Sequence, residues 1–496
     1  MTTASPSSRE LDAVREQAEA FLSEIDQEEY LHFAGHKPTF ELEPIYERHA
    51  DVTTLETART VGAAVDGRHN LELWRFVCEG YVGSLTREHE ERIAGLEASL
   101  ETSLDGETVG YRMLAPRIAN EPDRATRRRL EEAREQLNAE HLDEPAVALQ
   151  QARQRGASAL GAASYEELYR DRFGFDLHGL AEQCRELLDS TERLYEERLD
   201  RELRAAVGVG LTDAERWDTR RWMRFADWDD AFPAARMLPA LRASLGALGL
   251  DLDRQPNIHL DVEQRPTKLP RAFCSPIEVP ARVMLVIQPL GGPMDWQALF
   301  HEAGHAEHFA GTSRDLPFEA RRLGDYAVTE THAALFERLV AEPSWLRRLL
   351  DFARPADYAG TSATRDLFLL RRYAAKLLYE VELQAADEPL ALRARYVELL
   401  GDALKVEPSP TDWLADVDSA FYATAYLRSW AGEAQLRSHL RERWGAEWFT
   451  RREAGSFLRE LWELGQGPTA DELIEDATGA GLELAAAEAR VREALG

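Results

Sequence analysis

His301-Glu302-Ala303-Gly304-His305 is the stretch of this chain whose residue types and spacing can do chemistry. On a helix, residues four apart share a face, so the rings of His301 and His305 can aim their nitrogens at one point. Such a pair suits a zinc ion, and Glu302, about 100° further round the helix, can reach a water on the metal without joining the ligand set. A catalytic zinc takes three protein ligands and leaves a fourth position open, so a third donor is required. His308 lies on the same face, but about 10 Å of helix rise separates it from His301, and a zinc bond spans about 2 Å. The spacing that brings a third histidine from the same helix also fails, because its positions are occupied by His308 and Gly311.

The third donor is therefore expected from another element. Residues 324–337 read as a second helix with Asp325 as its N-cap. Glu330 and Glu337 are seven apart on one face, and Ala333 and Ala334 are small enough to let two helices approach closely. Glu330 is expected as the third ligand and Glu337 as the group that orients a ligand histidine.

The elements ahead of the motif must deliver it. Ile258–Val262 and Ile277–Ile287, with Val279, Val283, Leu285 and Ile287 on alternate positions, read as strands, and Pro280 marks the second as an edge strand or one entered through a bulge. Gly291-Gly292-Pro293 turns the chain into the motif helix, with Pro293 and Asp295 suited to its first turn. Upstream the pattern is helical. Leu11, Val14, Ala18, Phe21, Leu22 and Ile25 recur at helical spacing, the stretch from Thr53 to Glu140 stays helical and charged, and Ser164-Tyr165-Glu166-Glu167 opens another long helical region. Residues 1–8 read as a loose tail. Gly208 and Gly210 mark a turn, since the third glycine of a dinucleotide fingerprint would fall on Asp213. Trp217, Trp222 and Trp228, interleaved with Arg216 and Arg221, read as core indoles with arginine stems packed on them. His32, His36 and His49 have no ligand spacing and read as structural. Downstream, helices are expected over 346–352, 364–383 and 390–406, with a break at Pro408-Ser409-Pro410.

Composition bounds the function. Acids outnumber bases 89 to 59, a net charge of −30, which argues against a nucleic-acid partner because phosphate binding needs a basic footprint. The three cysteines, Cys78, Cys184 and Cys274, include no C-x-x-C pair, so a reducing compartment is expected. No uncharged apolar run is long enough to span a bilayer, and the first residues lack a signal-peptide pattern; the expected location is cytoplasmic, with no membrane partner.

The motif with His308 three residues on, followed by a helix carrying two glutamates seven apart, resembles the M3 family of zinc peptidases, which includes thimet oligopeptidase and oligoendopeptidase F. The resemblance carries the family's zinc histidines to His301 and His305, its general base to Glu302 and its glutamate ligand to Glu330. After the ligand glutamate this chain has Thr331-His332-Ala333-Ala334 where the family has Ala-Pro-Ser-Gln. Residues 418–430 are similar to the family segment that supplies tyrosines and a histidine to the bound peptide. Tyr422 and Tyr426 match two of those tyrosines by spacing, and Val417 and Ser429 stand where the histidine and a third tyrosine would be. Arg428 is a further candidate for a substrate carboxylate or oxyanion contact.

The resemblance implies a mainly α, zincin-like fold with a small β-sheet beside the active-site helix and a deep channel. It implies a helical N-terminal half over 1–255 and a catalytic half over 256–496, with short peptides as substrates and the edge strand ahead of the motif helix binding them in extended form. The implied activity is zinc-dependent hydrolysis with Glu302 as general base and Tyr426 or Tyr422 at the oxyanion. The competing reading is a protein of the same fold that binds zinc and peptide without turnover, because the absent histidine and tyrosine would supply transition-state contacts.

Overall fold

A computed structural model describes residues 8–269 and 271–496. The tail read over residues 1–8 lies, but for Ser8, outside them. The chain divides into two units. One takes in the chain up to Val77, Trp228–Ser362 and Ala425–Gly496; the other is made of Cys78–Asp227 and Ala363–Thr424. Both are mainly helical, as the apolar spacing requires. No helix of the described residues is long and apolar enough to cross a membrane.

In the second unit the helix Leu177–Val207 buries Leu180, Cys184, Leu187, Tyr195, Leu199 and Leu203 along one stripe and ends at Gly208 in the left-handed conformation, so the turn expected there is a helix cap. Two cores sit in this unit, one around Tyr379, Tyr396 and Trp413, the other around Leu114, Leu130 and Trp217. Trp217 and Trp222 are buried, with the Arg216 guanidinium 5.2 Å from the Trp217 ring, as core indoles should be. Ser164 caps its helix by accepting from the Glu167 N–H, but that helix is short; the long helix begins thirteen residues later, at Leu177.

The stretch from Thr53 to Glu140 is not wholly helical. β1 (Glu101–Leu104) and β2 (Glu107–Gly110) form a hairpin whose two-residue turn, Asp105-Gly106, has both φ angles positive. Asp-Gly between two short strands is the sequence signal for that turn.

The first unit holds a three-stranded sheet of order β3-β5-β4: β3 (Ile258–Asp261) runs parallel to β5 (Arg282–Val286), which pairs antiparallel with β4 (Phe273–Glu278). Here the reading of 277–287 as one strand is corrected. The stretch is the end of one strand, a turn and a second strand, with Val279 and Pro280 in the turn, because proline has no N–H for the ladder. Val283, Leu285 and Ile287 are fully buried on the alternation expected, but Val283 and Leu285 belong to the central strand and Ile287 follows it; the edges of the sheet are β3 and β4.

The chain leaves β5 through Gly291 and Gly292, both with positive φ, and a Cβ on Gly291 would come within 2.9 Å of the Ala234 nitrogen. No other residue serves there as well as glycine. The motif helix, Pro293–Gly311, follows, its first turn tied down by the Asp295 carboxylate, which accepts from the Leu290 and Gly291 N–H groups at 2.7 and 2.9 Å.

Candidate metal centre

The motif helix buries Trp296, Leu299, Phe300, Ala303, Ala306 and His308 and leaves a half-buried stripe made of Ala298, His301, Glu302, His305 and Phe309. Its apolar faces are committed to the sheet and to a second helix, Tyr326–Glu337, so the stripe is the face left for chemistry. Asp325 caps that second helix, its carboxylate accepting from the Ala327 N–H at 3.1 Å, as its position before the helix predicts. Residues Ala327 through Phe336 are buried without exception, so Glu330 is a carboxylate placed inside the protein.

Where the two helices meet, His301, His305 and Glu330 converge. The Nε2 atoms of the histidines are 3.2 Å apart, and Glu330 sets Oε2 3.5 Å from His301 Nε2 and Oε1 3.9 Å from His305 Nε2. One ligand atom from each lies within 4.8 Å of the others. Bonds of about 2.0–2.1 Å at tetrahedral angles put ligand atoms roughly 3.3–3.4 Å apart, so the donor set fits a zinc ion with little rearrangement.

The outer nitrogens of both rings are engaged. His301 Nδ1 is 3.0 Å from Glu337 Oε2, and His305 Nδ1 is 2.8 Å from the Thr329 hydroxyl. With a proton on each Nδ1, two Nε2 lone pairs face each other across 3.2 Å, an arrangement that calls for a cation between them. The electrostatics agree. Burial alone would lower the His301 pKa, but the hydrogen bond and charge of Glu337, with the charges of Glu302 and Glu330, raise it to about 9. A field that favours a proton there also favours a divalent ion. His305 is pushed well below the usual histidine range by burial and by the charge of His301.

Glu302 points to the sheet side. Its Oε2 accepts the Cys274 backbone N–H of β4 at 2.9 Å, which joins this carboxylate to an edge strand of the sheet. Burial pushes Glu302 up to about 7, against the pull of His301 and with a further rise from Glu330. That value suits a group that takes and returns a proton near neutral pH.

His308 and Arg428 are committed to other contacts. His308 is fully buried, with Nε2 3.2 Å from the Gly465 carbonyl oxygen and its ring packed on His332, where the chain around Trp462 covers the end of the helix. Arg428 gives its guanidinium to Asp325 at 3.0 and 2.6 Å and to Asp471 at 2.5 Å, so it braces the cap of the glutamate helix. Tyr426 stacks on Trp430 with ring centres 5.9 Å apart, in the first turn of the helix Ala423–Trp444, and Tyr422 follows the short turn Ser419–Phe421. Ser429 is buried and donates to the Tyr426 carbonyl oxygen within that helix. Thr329 and the Cys274 N–H were not legible as site groups. The only trace of Thr329 is a hydroxyl beside Glu330 in an otherwise buried helix, and a main-chain N–H leaves no trace at all.

No family model matches the sequence, and no curated protein matches it. Solved structures do. PZ peptidase A aligns over 100% of this chain and 97% of its own, with a TM-score of 0.64 at 17% identity. A candidate oligoendopeptidase F aligns over 100% and 97%, with a TM-score of 0.66 at 18% identity. The chain has the fold of the M3 oligoendopeptidases. A third structure, a candidate oligoendopeptidase F from Bacillus anthracis, aligns over 96% of this chain and 84% of its own, with a TM-score of 0.58 at 19% identity. The mainly helical architecture with small sheets, expected from the sequence, is that of these neighbours. What is shared at such identities is the oligoendopeptidase fold; the chemistry has to be argued from the residues above.

Proposed function

We propose that this protein is a zinc-dependent peptidase that hydrolyses short peptides, with His301, His305 and Glu330 as zinc ligands and Glu302 as general base. The observation that carries the reading is the convergence of those three donors on one point beside the half-buried Glu302 carboxylate, in a chain with the fold of peptidases. A zinc ion held there supplies Lewis-acid chemistry, lowering the pKa of water and polarising a scissile carbonyl.

The protein's own groups then divide the work. Glu337 and Thr329 hold the two imidazoles with Nε2 turned inward. Glu302 takes a proton from the attacking water and returns it to the leaving amine nitrogen. The Cys274 N–H keeps its carboxylate beside β4, so a peptide laid along that edge brings a carbonyl to the base. Tyr426 and Tyr422 are the proposed donors to the developing oxyanion. Short peptides are the proposed partners and the cytoplasm the proposed location.

The test is cleavage of a peptide library by the zinc-loaded protein and by Glu302→Gln, with zinc content measured on both. Cleavage by the wild type alone, at equal zinc, supports the proposal. Zinc binding without cleavage in the wild type supports the non-catalytic reading instead, and absence of both overturns the metal site.

A further inference from the structure

We infer that Thr329 is a positioning residue that selects the tautomer of His305 and so decides whether its Nε2 faces the site as an electron pair or as an N–H. The inference rests on the zinc reading for its consequence, though the tautomer itself can be read without metal.

The two histidines of the motif are held differently. His301 Nδ1 meets a carboxylate, Glu337, at 3.0 Å, and a carboxylate accepts only, so that nitrogen must carry a proton. His305 Nδ1 meets the Thr329 hydroxyl at 2.8 Å, and a hydroxyl can accept or donate. If Thr329 accepts, Nδ1 carries the proton and Nε2 offers its lone pair to the centre. If it donates, Nε2 carries the proton and directs it at His301 Nε2, 3.2 Å away, and towards Glu330, which closes the centre to a metal. One hydroxyl thus stands between an open and a closed ligand set.

The geometry favours the open form. Thr329 is 3% exposed in a helix buried from Ala327 to Phe336, and a β-branched side chain in a helix has few rotamers, so Oγ1 is fixed against His305. Thr331, two residues on, gives its hydroxyl proton to the Ala327 carbonyl one turn back at 2.6 Å. A Thr329 hydroxyl that spent its proton in the same way, on the carbonyl one turn back, would leave its lone pairs to His305. Thr329 also lies next to Glu330, so a single turn of one helix sets a ligand and the tautomer of another ligand.

The experiment compares wild type, Thr329→Val, which keeps the shape without the hydroxyl, and Thr329→Ser, which restores the hydroxyl. Ring nitrogens of histidine-labelled apo protein are read by NMR, and zinc affinity is measured by competition with a chromogenic chelator. The expected result is the Nδ1–H tautomer of His305 in wild type and Thr329→Ser, its loss in Thr329→Val, and a fall of about 10–100-fold in zinc affinity in that variant alone. An unchanged tautomer in Thr329→Val, or zinc affinity equal to wild type, overturns the inference, as does failure of Thr329→Ser to rescue. Should the wild type bind no zinc, the proposed function falls, and the apo tautomer still decides the role of Thr329.

Discussion

Gly304 and Ala333 mark the crossing of the two helices that carry the metal donors: a Cβ built on Gly304 would lie 2.6 Å from the Ala333 Cα and 2.7 Å from the His332 carbonyl oxygen. Both obstacles are backbone and cannot swing away. Gly304→Ala is therefore expected to push the helices apart, lower stability by about 1–3 kcal/mol and spread His305 from Glu330. Thermal denaturation and zinc titration check this; wild-type zinc affinity in a folded Gly304→Ala protein would show that the crossing does not set the donor geometry.

Replacing Glu302 by Gln removes the proton acceptor while the ligands stay. Turnover should drop by about 10²–10⁴ or more with zinc stoichiometry intact. Steady-state kinetics beside elemental analysis separate this from a loss of metal.

Metal removal should act on stability as well as activity. A strong chelator should abolish cleavage and lower the melting temperature, and added zinc should restore both in a concentration-dependent way, because an ion that binds only the folded state stabilises it by mass action. A melting temperature indifferent to zinc would argue against a site built from His301, His305 and Glu330.

Arg428 should matter for stability. Its guanidinium joins Asp325 and Asp471, and Asp325 also accepts from the Ala470 N–H at 2.9 Å. Arg428→Met leaves the half-buried Asp325 carboxylate without this guanidinium, an expected cost of about 1–3 kcal/mol. Urea denaturation measures it. A variant as stable as wild type with a raised KM would return Arg428 to the role of a substrate contact.

Asp261 predicts an acid-sensitive joint near the sheet. Burial pushes its carboxyl up, but hydrogen bonds from Lys268, Arg265 and His36 outweigh it and hold the pKa at about 2. A depressed carboxylate contributes stability that is complete above its unfolded value of about 3.9 and fades as pH falls through the folded one. Asp261→Asn should therefore be less stable than wild type at pH 7, and the difference should shrink between about pH 4 and pH 2. Denaturation midpoints across that range give the answer, and a gap that does not close on acidification would assign the loss to packing.

Much of the centre was legible because it is local. The four-residue period of a helix puts His301 and His305 on one face whatever surrounds them, and the same period joins Glu330 to Glu337. Alanines at 333 and 334 signalled a close helix approach, and Asp325 announced where the second helix begins. The strand reading failed at Val279 and Pro280 because alternation persists through a tight turn, and only strand pairing shows where the ladder stops. The Asp105-Gly106 hairpin carries its own turn signal, set inside a stretch whose spacing and charge are otherwise helical.

What the sequence by itself determined is the donor chemistry and the helical character of the chain, since residue types and periodicity are local properties. Tertiary structure alone decided that Glu330 reaches the histidines, that Thr329 and a Cys274 N–H attend His305 and Glu302, and that Arg428 is spent on Asp325. Those contacts join residues 24 to 103 positions apart, and a pairing at such a separation depends on how helices and strands pack, which no local pattern encodes.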